Sequence, residues 1–219
     1  MGVLDLWRDG REAMSRFGRT IDDEAAETPV PACPSWTIRD VYAHQAGVTT
    51  DVATGNMADA ASDGWTARQL AERSTHSLPE LLDEWDERAP QLVAALSTLD
   101  EDALDPRLLM DLWHHTQDVR GALGLPGELS GDLAEWVLAR SRQVLGQFTG
   151  LEVVFAEPTG TPTPGTLTVP PFEGARALVG RRSLDQVRAW SWGVDDPDEL
   201  VARVPVFGPR PEPLVEASA

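Results

Sequence analysis

Apolar positions recur every three or four residues through most of the chain up to Phe148, which predicts a succession of amphipathic helices. Leu4, Trp7, Arg11, Met14, Phe17 and Ile21 keep that spacing and predict a first helix from Val3 to about Ala26, ending in the acidic run Asp22, Asp23 and Glu24. Pro29, Pro31 and Pro34 interrupt the pattern and predict an extended connection. The pattern resumes with Ile38, Val41, His44, Val48 and Val52 on one face of a helix capped by Ser35 and running to about Met57. An imidazole, His44, therefore sits on an apolar face.

After the polar stretch Asn56 to Gly64, Thr66 with Gln69 predicts the start of a short helix. Ser77 and Glu80 form a capping box, with Pro79 in the first turn, for a longer helix through Leu81, Leu82, Trp85, Leu92, Val93 and Leu96. Asp105 and Pro106 start, and Gly124 and Pro126 stop, a helix over LLMDLWHHTQDVRGALG, residues 108–124. Ser130 opens another, with Leu133, Trp136, Val137, Arg140, Val144 and Phe148 along one side. Composition changes at Gly150. Leu151 to Ala156 and Thr166 to Val169 read as short strands separated by Thr- and Pro-rich turns, Ser183 and Gln186 predict one more helix, and Pro205 to Pro213 is irregular. The expected fold class is mainly α, with a helical bundle over 1–149 and a small α/β region over 150–219.

Within residues 108–124, Leu108, Asp111, His115, Asp118 and Ala122 fall on one stripe, flanked by Leu112 and Val119. Polar groups aimed at a core cost several kcal/mol, roughly, unless they find partners. A divalent metal is one such partner, and His44 on its own helix would complete a set of two imidazoles and one carboxylate with Asp111 and His115. That donor set suits zinc, and three protein ligands leave a coordination position open, as in catalytic sites. Asp118, one turn beyond His115, is placed either to orient its ring or to hydrogen-bond within the bundle. His114 points about 100° away from His115 on the helix, and His76 lies at a helix end. Cys33, between Pro31 and Pro34, reads as part of a structural turn. Trp7, Trp85 and Trp136 read as packing, whereas Trp36 closes the bundle end or lines a pocket. The Arg181, Arg182 pair is either an anion-binding feature or a solvated surface.

The formal net charge is -18, and all 18 basic residues are arginine. So acidic a chain argues against nucleic acid and anionic membranes as partners. The single cysteine excludes an intramolecular disulfide. No secretory h-region or long apolar span occurs, so a cytoplasmic protein is expected.

Three segments in order, CPSWTIRDVYAHQAGV, DLWHHTQDVRGALGLPG and FEGARALVGRRSLDQVRAW, resemble the mycothiol-dependent maleylpyruvate isomerase family of the DinB-like superfamily. The resemblance spans nearly the whole chain. It implies a DinB-like four-helix bundle with a metal held by His44, Asp111 and His115. The family's pattern has glutamate where this chain has Asp111. The resemblance also implies an active-site arginine from the C-terminal region, for which Arg181 or Arg182 is the nearest match. Mycothiol would be the co-substrate, and the expected activity is isomerisation of, or S-transfer to, a small electrophile by a thiolate. The alternatives on the same bundle are a metal-dependent hydrolase and a non-catalytic small-molecule binder.

Overall fold

The computed structural model describes residues 1–217. They divide into two compact units, Met1–Leu125 and the residues from Pro126 onward.

The first unit is built on four long helices: α1 (Val3–Gly18), α3 (Ile38–Thr54), α5 (Leu78–Leu96) and α6 (Arg107–Ala122). Helix α1 packs on α5 and α6, and α3 packs on the same two, so the four close a ring around one core. Trp7, Met14, Ile38, Val41, Leu81, Trp85, Leu92, Leu109, Leu112 and Val119 fill it. The short helices α2 (Asp23–Ala26) and α4 (Asp63–Glu72) lie against α3. Two buried polar groups bridge helices: Trp85 Nε1 donates to Thr49 Oγ1 at 2.8 Å, and Tyr42 Oη donates to the Met14 carbonyl at 3.1 Å.

Several boundaries differ from the pattern-based expectation. The first helix ends at Gly18 rather than near Ala26, and Asp22 caps the separate α2 by accepting from the Ala25 N–H. Gly18 packs where a Cβ would come within 2.8 Å of the Tyr42 ring. Ser35 does not cap α3. It takes a left-handed conformation, φ 74°, and Thr37 caps instead, forming a capping box with Asp40. Likewise α4 is capped by Ser62, and Thr66 lies inside the helix. The capping boxes at Ser77/Glu80 and Ser183/Gln186 form as expected, and Gly124, φ +67°, follows the end of α6.

The second unit contains α7 (Asp132–Thr149), β1 (Glu152–Phe155), β2 (Thr166–Val169), α8 (Pro171–Leu178), α9 (Leu184–Arg188), β3 (Ser191–Trp192) and α10 (Asp198–Arg203). Strand β2 is central, parallel to β1 and antiparallel to β3. Its core contains Leu145, Leu167, Val169, Leu178, Val187, Trp190 and Val204. Helix α7 packs on α8, β1 and α10, so the division into units comes at Leu125 and Pro126, ahead of the composition change at Gly150. The apolar side of α7 is used by the sheet region, which helix periodicity cannot reveal because it does not name the partner face.

Among the described residues, no helix is long and apolar enough to cross a membrane.

Candidate metal centre

Helices α3 and α6 are in contact, and their facing stripes bring His44, Asp111 and His115 together. The donor atoms of these three side chains all lie within 4.8 Å of one another. His44 Nε2 is 3.6 Å and His115 Nε2 is 3.4 Å from the same carboxylate oxygen, Asp111 Oδ1. Both are longer than the usual N–H···O hydrogen bond. Ligand atoms around a tetrahedral zinc with bonds of about 2.1 Å stand roughly 3.4 Å apart, so the donor types and the two histidine–aspartate separations fit such an ion. The imidazoles are buried, with side-chain exposures of 7% and 8%, whereas Asp111 is 35% exposed, and the centre therefore opens on the Asp111 side.

Each imidazole is backed at its other nitrogen. His44 Nδ1 lies 2.9 Å from Gln69 Oε1, and the Gln69 amide in turn donates to Asp51 Oδ2 at 2.8 Å. His115 Nδ1 comes within 3.0 Å of Asp118 Oδ2, which also accepts from the Cys33 thiol at 3.2 Å. Asp111 Oδ2 accepts from Gln45 Nε2 at 2.6 Å, leaving Oδ1 turned toward the two rings. Trp36 forms one wall: its ring stacks on His115 at 5.7 Å and tilts against His44 at 5.3 Å.

The electrostatics follow from this packing. Burial alone would raise the Asp111 carboxyl, but the His115 and His44 imidazoles outweigh it and hold the group well below the usual carboxylate range. Burial disfavours a charged His115. The Asp111 carboxylate, with further contributions from Asp118 and Cys33, nevertheless holds it well above the usual histidine value.

Residues 7–120 match the family model described as the mycothiol maleylpyruvate isomerase N-terminal domain, over more than half of the chain. The chain belongs to that family. Within the mycothiol maleylpyruvate isomerase N-terminal domain, the matched span includes α3 and α5 whole, most of α1 and α6, His44, Asp111 and His115, and the partners Asp51, Gln69 and Asp118. A similar solved structure is the crystal structure of a histidine-to-alanine mutant of the mycothiol-dependent maleylpyruvate isomerase. It has 19% sequence identity and a TM-score of 0.51 over 81% of this chain and 87% of that one. At that identity the likeness speaks to the fold. Comparison with curated proteins gives no sequence match.

His114 is buried edge-on to Trp113. Cys33 is buried in the connection before α3, in a thiol–carboxylate contact and in a second donor cluster with His115 and Asp118. Arg182 is fully buried in the second unit, where it pairs with Glu173 at 2.6 Å and Glu216 at 2.7 Å, and Arg181 donates to the Val179 carbonyl. Sequence reasoning missed Gln45, Gln69 and Asp51. Gln45 had a signal, since it neighbours His44 on α3. Gln69 had none, because a neutral amide on a short helix carries no chemical signature.

Proposed function

We propose that the protein is a metal-dependent enzyme that uses a low-molecular-weight thiol, mycothiol, for isomerisation of or S-transfer to a small electrophile. The observation that carries this reading is the convergence of His44 Nε2, His115 Nε2 and Asp111 Oδ1 in a family named for such an enzyme. His44, Asp111 and His115 would hold the metal, with zinc favoured by two nitrogen donors and one oxygen donor. Bound there, a divalent ion would supply the positive charge that keeps a thiol ionised near neutral pH.

The chain's own groups have defined tasks in this reading. The imidazoles present Nε2, held from behind by Gln69 and Asp118. Asp111 contributes a negative charge and is steadied by Gln45. Trp36 walls one side and keeps water from the ring faces, while the partly exposed Asp111 edge admits thiol and electrophile. The thiolate sulfur adds to a conjugated double bond of the substrate. In isomerisation the resulting single bond rotates and the carbon–sulfur bond then breaks to return the thiolate; in transfer the bond remains and a proton is taken up at the adjacent carbon. Arg181 and Arg182 enter only through the family resemblance, and Arg182 is paired with Glu173 and Glu216.

The test is calorimetric titration of mycothiol into metal-loaded and chelator-treated protein. Binding is expected only in the loaded form. Equal affinity in both forms would overturn the reading, and ester turnover without thiol would instead indicate a hydrolase.

A further inference from the structure

We propose that Asp51, acting through Gln69, is a positioning residue that sets the tautomer of His44 and so turns its Nε2 lone pair toward Asp111 and His115. Its functional consequence rests on the metal reading above; the tautomer itself does not.

The chain of polarity begins at Asp51, on α3 two turns beyond His44. Its side chain is 7% exposed and receives two donors, Gln69 Nε2 at Oδ2 and Asn56 Nδ2 at Oδ1, both at 2.8 Å, with Arg68 Nη2 3.6 Å away. A carboxylate only accepts. Gln69 must therefore turn its NH2 toward Asp51, since the flipped amide would set oxygen against oxygen at that distance. The amide oxygen is then the atom facing His44 Nδ1, at 2.9 Å. An amide oxygen also only accepts, so in the neutral ring Nδ1 carries the hydrogen and Nε2 is left bare. The opposite amide orientation would put the hydrogen on Nε2 and block ligation. Gln69 is wholly buried, so water cannot substitute for either partner.

The fold makes room for this relay at one position. At Gly47, one turn after His44, a Cβ would lie 2.7 Å from Gln69 Cβ and 2.8 Å from its Cγ. The missing side chain lets α4 approach α3 closely enough for Gln69 to reach His44. Arg73, one turn after Gln69, donates to the Gln69 carbonyl at 3.2 Å and pairs with Glu84 of α5, which ties this part of α4 to the bundle. The two imidazoles are thus backed differently, His115 by a carboxylate and His44 by a neutral amide whose direction a more distant carboxylate sets.

Swapping the polarity tests the relay. In Asp51→Asn either amide orientation of Gln69 is satisfied, so His44 is expected to become a mixture of tautomers, read from imidazole 15N shifts in metal-free protein at a pH where the ring is neutral. Zinc affinity should fall about tenfold, the scale seen when an outer partner of a ligating histidine is lost. In the double variant Asp51→Asn/Gln69→Glu the carboxylate introduced on α4 accepts from both the amide introduced on α3 and His44 Nδ1, which should restore the single tautomer and bring affinity back to within about threefold of wild type. Gly47→Ala, which displaces Gln69 without touching either polar group, should mimic Asp51→Asn. A single Nδ1–H tautomer in folded Asp51→Asn or Gly47→Ala would overturn the inference. Failure of the double variant to recover, with wild-type circular dichroism, would do the same. If the tautomers shift as stated but wild type takes up no zinc, the relay stands and the metal reading falls.

Discussion

At the scale of the residue, Asp111 is the group on which the centre turns. It is the only anion in the set of three, it touches both imidazoles, and its charge is what holds His115 well above its usual pKa. Its other oxygen, Oδ2, accepts from Gln45 Nε2 at 2.6 Å. Asp111→Asn keeps the shape and an oxygen but removes the charge. It is expected to weaken zinc binding by more than the roughly 10–100-fold typical of losing an outer partner, whereas Asp111→Glu should retain tight binding. Competition titration against a chromogenic chelator reads both, and equal affinities for the Asn and Glu variants would contradict the role given to the charge. The convergence of His44, Asp111 and His115 was legible in the sequence because helical spacing puts them on inward faces. Asp51 and Gln69 were not, because their meaning depends on the depth at which a second helix settles on Gly47, and a glycine in a helix announces no particular neighbour.

At the scale of the element, the cross-links between helices are ionic as well as apolar. Glu84 of α5 receives Arg73 through two guanidinium nitrogens and Thr50 Oγ1 of α3 at 2.8 Å. Burial would raise this carboxyl, but Arg73 and Thr50 lower it below its ordinary 4.5. A carboxyl that ionises at lower pH in the folded state adds stability above the unfolded value, and that contribution is lost as pH falls through the folded value. Glu84→Gln is therefore expected to cost on the order of 2 kcal/mol at pH 7 and progressively less below about pH 4, measured by urea unfolding. A pH-independent difference would rule this out. The same elements mark where pattern reading fell short. Capping boxes with an unambiguous partner, such as Ser77 with Glu80, were legible, whereas Ser35, Thr37, Ser62 and Thr66 offered competing caps, and backbone conformation chose among them.

At the scale of the whole molecule, a four-helix bundle carries the candidate chemistry, and a second unit is organised around a three-stranded sheet and a buried ion cluster of Arg176, Arg182, Glu173 and Glu216. Fold class was legible because long amphipathic helices and short β-rich runs have distinct periods. Helix α7 has the same period as the bundle helices and differs in what it packs against. All the groups assigned to the centre belong to the first unit and lie within the family match. The most direct measurement of the central claim is the zinc content and affinity of the full-length protein compared with His115→Ala. The account predicts one zinc per chain, removable by chelation and rebound tightly by wild type, and substoichiometric, weakly held metal in the variant; the same low metal content in both proteins would contradict it.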